Sequence, residues 1–531
     1  MKSPETTDLV VISPSGLDLN RIDEDALRAV ERLQKRGSQA YLVGGCVRDL
    51  LLDGQPKDYD IATSARPAQV KRTFSRNCRI IGRRFKLAHL HFDGNRKILE
   101  VSTFRRAPEA ADESDDDDTD LLITRDNEFG SAEEDAKRRD FTINALFFDP
   151  IHDEIIDYVG GLQDVESRVI RTIGDPTIRF REDPVRILRA VKFASRLGLS
   201  VDPDTFDAMV AVAPDLKRAA PPRVLEEILR LLRSGFALDA FQLLRDVGAL
   251  GVILPDIDAF LGESDARDRV LFWRTIEALD ARVRTEGAPS AGVMLGALFL
   301  QPVLAEARNE PDASLATIAE EVVQPFATDL RVPRRETACL KRVCSVHARF
   351  TQRGSGRRFK PSAFAQDPFF DESLEVFALS CAASGEGLDA LERWRRIADG
   401  SAEPSPRVEQ RPRGDSKSNE PRRRKERGKK GKGRAEGGGK KRKRRSERPI
   451  EIETLEPEQV DLTAFDIELS PRRAPTFGAI VEGASKKKKR ATMSFEEDAY
   501  KPPPPPGSSP SEPVAPPPPP PPPSDDEFGD W

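Results

Sequence analysis

At 531 residues the chain exceeds one ordinary domain, and 38% apolar with 33% charged residues, 43 prolines and only 6% aromatics describe a folded part joined to chain too polar to bury a core. The formal charge of -5, from 85 Lys plus Arg against 90 Asp plus Glu, argues against a globally basic polyanion binder, so any such attraction is regional. Five cysteines without a CxxC pair and four histidines in no ligand pattern argue against a zinc site or a disulfide framework, and the absence of a leader pattern or of 18 uninterrupted apolar residues points to a cytoplasmic protein with no membrane partner.

Residues 22–33 carry apolar side chains at helical spacing, and Gly37 stops the pattern before Ala40-Tyr41-Leu42-Val43, a buried strand. Gly44-Gly45-Cys46-Val47-Arg48-Asp49 then runs into Leu50-Leu51-Leu52. This sets glycines where amides at a helix start approach phosphates, with Arg48 as an added cation; a plain strand-to-helix turn is the alternative. Further strands at 59–62, 87–92, 98–104 and 141–148, with a helix at 67–74, make a mixed sheet with few helices.

Asp58-Tyr59-Asp60 opens one of these strands, so its two carboxylates point from the same face. Like charges so close repel unless a cation lies between them, which suits two Mg²⁺ ions that align a triphosphate and an attacking hydroxyl. Alone, such a pair reads as a solvated turn; the glycine turn shortly before it favours the metal reading. A third carboxylate belongs on a neighbouring strand. Glu100 within Ile98-Leu99-Glu100-Val101 is one candidate, Asp140 within Arg138-Arg139-Asp140-Phe141-Thr142-Ile143-Asn144 the other, and a structural salt bridge fits either. Arg138, Arg139 and Asn144 suit phosphate and ribose contacts.

From about residue 164 the periodicity turns helical, with helices at 183–197, 203–212, 222–232 and 237–247 and more to 399. In 222–232, Leu225, Ile228, Leu229 and Leu232 form a stripe opposite Arg223, Glu226, Glu227 and Arg230, as core packing requires. Asp183 caps a helix with Pro184 in its first turn, and Arg186 shares the face of Asp183. An acceptor beside a forked donor reads a base's Watson–Crick edge, or is an ordinary cap with an ion pair. Acidic residues crowd 112–120, basic residues 407–448 and 486–490, and prolines 502–506 and 516–523. Beyond 401 the composition is that of disordered or polyproline-like chain.

The ordered set GGCVRD, DYD, EVSTFR, RRDFTIN and EDPVRILRAVKFASRLG resembles the class II polymerase-beta-like nucleotidyltransferases, the family of bacterial poly(A) polymerases and tRNA CCA-adding enzymes. The resemblance is strong over 40–199 and weaker to 399. It implies an α+β chain: a nucleotidyltransferase head or palm domain at 21–165, a helical neck at 166–250 with base-selecting and RNA-binding helices, a helical body at 251–399, and a disordered basic and proline-rich tail at 400–531. It also implies Asp58 and Asp60 as ligands of two Mg²⁺ ions, Gly44, Gly45 and Arg48 at phosphates, and Glu100 or Asp140 as third acid, with Glu100 favoured on geometry. Arg139 and Asn144 would face the ribose, and Asp183 with Arg186 would select the base, backed by Arg189. Lys192 stands where the family often has Arg, which leaves a point charge but no fork.

Thr124-Arg125-Asp126-Asn127-Glu128-Phe129-Gly130-Ser131, the stretch from Cys78 through His89 and the proline at 184 resemble the poly(A) polymerase branch, so ATP is the expected substrate and RNA 3′ ends the expected partner. The basic tail fits diverse RNAs. A CCA-adding enzyme shares the whole catalytic set. An RNA-tethering scaffold with SH3-type or WW-type partners on the proline runs is a reading from another class.

Overall fold

The computed structural model describes residues 9–82, 86–106, 128–351 and 361–401. The acidic run 112–120, the first half of the 124–131 block, the basic segments and the proline runs lie outside the described residues.

Helix α1 (Glu24–Gln34) starts where Asp23 accepts hydrogen bonds from the amides of Asp25 and Ala26, and buries Ala26, Ala29, Val30 and Leu33, one stripe at helical spacing. It packs on an eight-stranded mixed sheet of β1 (Val10–Ile12), β2 (Ala40–Val43), β3 (Asp60–Thr63), β4 (Cys78–Ile81), β5 (Leu87–Phe92), β6 (Lys97–Thr103), β9 (Leu146–Asp149) and β10 (Glu154–Asp157), in the order β1-β10-β9-β2-β3-β6-β5-β4. Two strands of an antiparallel ribbon, β7 (Arg105–Arg106) and β8 (Glu128–Phe129), lie between β6 and β9 in the chain. Helices α2 (Gly45–Leu51), α3 (Pro67–Thr73), α4 (Ala132–Lys137) and α5 (Gly161–Glu166) complete this part.

The pairing that matters for chemistry is long-range. β2 lies antiparallel to β3 with Val43 opposite Asp60, and β3 lies parallel to β6 with Asp60 opposite Glu100. The strand expected over 141–148 is shorter than its sequence suggests. Thr142–Asn144 form a 3-10 turn, because the Thr142 amide donates to the Arg171 carbonyl and its hydroxyl to Asp164 at 2.6 Å, which pulls the chain out of the sheet until β9.

After β11 (Val169–Ile170), which pairs in parallel with β12 (Ser200–Val201), the chain is helical. Helices α6 (Pro176–Glu182), α7 (Val185–Leu197), α8 (Pro203–Val212), α9 (Pro221–Leu232) and α10 (Ala237–Asp246) come first. They are followed by α11 (Leu250–Ile253), α12 (Pro255–Glu263), α13 (Ala266–Glu286), α14 (Ala291–Asn309), α15 (Leu315–Asp329), α16 (Arg334–Thr351), α17 (Pro361–Phe364), α18 (Phe370–Ser384) and α19 (Leu388–Ala398). On α9 the buried residues include Leu225, Ile228 and Leu232, so the expected stripe is core. Among the described helices only α14 is long and apolar enough to cross a membrane, and 72% of its apolar stretch is buried inside the protein, as in a central core helix.

Candidate active site

The open face of the sheet gathers acids. Asp58 and Asp60 are both exposed with buried Tyr59 between them; Asp60 is the first residue of β3 and Asp58 lies in the segment just before it. Glu100 stands beside Asp60 across the β3–β6 pair, its side chain 51% exposed. Although Asp60 keeps a solvent-facing edge, desolvation by the surrounding protein raises its carboxyl to about 6; Glu100 and Asp58 add to this, while Arg139 opposes it. His89, opposite Glu100 on β5, brings Nε2 within 3.5 Å of its carboxylate.

Among the described residues no group of three or more His, Cys, Asp or Glu side chains is arranged to hold a metal ion. An open acid face nevertheless fits Mg²⁺, which takes one or two carboxylates and completes its shell with water and phosphate oxygens. The raised Asp60 carboxyl marks unneutralised negative charge that a divalent cation would relieve.

Beside the acids, Gly44 holds φ +75°, and a side chain there would come within 3.0 Å of Arg139 Nη1. Glycine is thus required both for the turn and for the approach of Arg139. Arg139 is anchored by Nη2 to Asp135 at 2.9 Å and by Nη1 to the Asn144 carbonyl at 3.2 Å. Gly45 is the first residue of α2, and its surroundings impose no comparable constraint. Asp135, buried and also bonded to Arg138, was not singled out from sequence; its place three and four residues before the arginine pair, at helical spacing, was the available signal.

Four of the expected contact residues are engaged with partners inside the protein. Arg48 does not reach outward for phosphate: its side chain is 3% exposed, bonded through Nε (2.9 Å) and Nη2 (2.5 Å) to Asp49 and through Nη1 to the Asn144 side-chain oxygen, and its guanidinium lies over the Phe193 ring. Asn144 is likewise engaged within the protein, its amide nitrogen donating to Asp140 at 3.1 Å and its side-chain oxygen accepting from Arg48 Nη1. Asp140 is charge-paired inside the protein. Burial alone would raise its carboxyl, but a two-pronged pair with Arg189 at 2.8 and 2.6 Å, with the Asn144 and Phe141 donors, holds it below the ordinary carboxylate range. Arg189 is bonded to Asp140, with Glu227 and Asp183 close enough to add to the negative charge around it. Lys192 pairs with Glu227 at 3.5 Å on α9.

Asp183 is extended and closes α6, its side chain accepting from the Val185 amide and its carbonyl from the Arg186 amide, while the residue at the N-cap of α7 is Pro184 and not Asp183 as expected. Asp183 also pairs with Arg223 at 2.8 Å. Arg186 Nη1 meets Glu182 at 2.8 Å and the Arg179 carbonyl at 2.7 Å. No bond joins Asp183 to the Arg186 guanidinium, so they are neighbours with separate anchors rather than an ion pair.

The family described as "Poly A polymerase head domain" matches residues 40–171, and that described as "Probable RNA and SrmB- binding site of polymerase A" matches residues 198–261. Poly(A) polymerase I of Salmonella typhi is 37% identical over 397 residues, covering 72% of this chain and 84% of that protein. The CCA-adding enzyme of Geobacillus thermodenitrificans is 38% identical over 259 residues, covering 49% of this chain and 61% of the enzyme. The fold is similar to that of the Bacillus stearothermophilus CCA-adding enzyme in complex with CTP, with TM-score 0.50 and 29% identity over 71% of this chain and 82% of that one.

Proposed function

The chain belongs to the poly(A) polymerase family of nucleotidyltransferases, and from that membership we propose that it adds AMP from ATP to RNA 3′ ends without a template. The observation that carries the reading is the strand register that sets Asp60 beside Glu100, with Asp58 in the segment just before β3. Asp58 and Asp60 would hold two Mg²⁺ ions, which when bound supply charge neutralisation at the triphosphate and a more acidic attacking hydroxyl. Glu100, beside Asp60 and within 3.5 Å of His89 Nε2, would add the third negative charge on this face. Arg139, fixed by Asp135, presents a cation beside Gly44 for the negative charge of the incoming nucleotide. Asp183 would offer an acceptor and Arg186 a donor edge to the base, the first bonded to the Val185 amide at the start of α7 and the second to Glu182 and the Arg179 carbonyl of α6.

The poly(A) branch is favoured over CCA addition because the similarity runs through most of the length of a poly(A) polymerase I but through a smaller part of a CCA-adding enzyme, at nearly equal identity. RNA would be the partner of the helical region and of the basic segments beyond residue 401. The test is steady-state incorporation of ATP and CTP on an unstructured RNA and on a tRNA lacking its terminal CCA. Long adenylate tracts on both RNAs are expected, with ATP preferred by roughly one to two orders of magnitude, because a mispaired buried polar edge costs about 1 to 3 kcal/mol per group. Addition confined to two cytidylates or one CCA on the tRNA would overturn the assignment.

A further inference from the structure

Arg179 belongs to none of the motifs that carry the chemistry, yet it joins two of them. Its side chain is 12% exposed. Nη2 donates to the carbonyls of Arg138 and of Arg139, each at 2.7 Å, and Nη1 meets Glu182 Oε2 at 2.6 Å. The same Glu182 oxygen accepts from Arg186 Nη1 at 2.8 Å, and that nitrogen also donates to the Arg179 carbonyl at 2.7 Å. Arg138 and Arg139 follow the last turn of α4, where carbonyls lack helical partners, so the guanidinium closes that helix end while holding Glu182, the last residue of its own helix α6, which in turn meets Arg186 on α7. One planar group thus ties the backbone that carries Arg139, the cation acting on Asp60, to the carboxylate that holds Arg186.

The geometry points to Arg179 as a positioning residue for base choice: it fixes the Asp183–Arg186 pair at a set distance from the Arg139 segment, so that the pocket meets one base edge and does not reshape for another. This rests on the base-selection reading above. Arg suits the role because its fork reaches two carbonyls and a carboxylate in one plane, which an ammonium point charge does not reproduce. Glu182 is the second member of the device, since it alone touches both guanidinium groups.

The experiment measures kcat and KM for ATP and for CTP on an unstructured RNA with the full chain and its Arg179→Ala, Arg179→Lys, Arg186→Ala and Arg179→Ala/Arg186→Ala variants, together with their melting temperatures. Arg179→Ala is expected to lower the ATP:CTP ratio of kcat/KM by about tenfold, through a higher KM for ATP, and Arg179→Lys by a smaller factor. The double variant should lose no more of the ratio than Arg186→Ala does, since residues acting through one another are not additive. A lowered rate or melting temperature with an unchanged ratio in both Arg179 variants would show a purely structural clamp and overturn the proposal, as would fully additive losses in the double variant. Arg179→Lys keeps the test open if Arg179→Ala does not fold. An Arg186→Ala enzyme that retains its ratio would instead sink the base-selection reading, and that failure is told apart by which variant keeps the ratio.

Discussion

The open strand face and the seam between the α2 turn and α7 treat their charges in opposite ways. On the strand face, Asp58, Asp60 and Glu100 stand together with little to neutralise them, and Asp60 is raised to about 6. In the seam, Asp49, Arg48, Asn144, Asp140 and Arg189 form an unbroken chain of partners, extended by Arg196, which meets Asp49 at 2.9 Å. Phe193 lies under the guanidinium groups of Arg48 and Arg189. Charge left unmatched is available to a ligand, whereas charge matched at every atom holds a shape. Five of the residues expected to touch nucleotide or metal thereby divide by environment: Asp58 and Asp60 on the open face, and Arg48, Asn144 and Asp140 in the seam.

The largest effect expected from this contrast is at the open face. Asp60→Asn should abolish extension, by about three orders of magnitude or more, while leaving RNA affinity nearly intact, because the acid serves the reacting phosphate and not the RNA body. A single-turnover assay beside a filter-binding titration checks it, and measurable polymerisation by the variant would remove the site.

Asp140→Ala comes next, and its expected signature is lost stability. Truncating one partner of a buried pair leaves the other charge unmatched, worth roughly 3 kcal/mol here, at the low end for buried pairs because Arg189 keeps 34% of its side-chain surface. Since the folded-state carboxyl of Asp140 is lowered, its stabilisation is present above the unfolded value near 3.9 and is lost as the pH falls through the folded one. Urea midpoints of wild type and variant should therefore differ most at neutral pH and converge under strongly acidic conditions. A variant as stable as wild type at pH 7 but inactive would return Asp140 to the catalytic set.

The smallest effect runs in the reverse direction. A raised carboxyl contributes stability that is complete below the unfolded value and is lost as the pH rises through about 6, so ionised Asp60 weakens the metal-free fold at neutral pH. Asp60→Asn should then stabilise the metal-free protein at pH 7.5 by at most about 1 kcal/mol, after allowance for solvent screening at its exposed edge. Added Mg²⁺ should raise the melting temperature of wild type more at pH 7.5 than at pH 5.5 and have little effect on the variant. Equal shifts in both proteins would place the ion elsewhere.

Local pattern made much of this molecule legible before any coordinates. Helical spacing in 22–33 and 222–232 and the run Ala40–Val43 each depend on neighbours within a turn or two of chain, and each lies where the local pattern puts it. Strands β1, β4 and β10 were not singled out. β1 offers three exposed apolar residues with no alternation, and its only partner, β10, lies far along the chain.

The sequence by itself determined that Asp58 and Asp60 flank one residue at the entry to a strand; that β3 begins only at Asp60, leaving Asp58 in the segment before it, was decided by the fold. The sequence determined that glycine must occupy position 44 only as far as a turn was needed; that Arg139 packs against it is a tertiary fact. The choice between Glu100 and Asp140 belonged wholly to tertiary structure. Parallel pairing of β3 with β6 sets Glu100 next to Asp60, and Arg189, 49 positions beyond Asp140, closes on that carboxylate from another helix. The physical reason is that a carboxylate's role follows from which charges surround it, and those charges arrive through strand register and helix packing between segments that are distant in the chain.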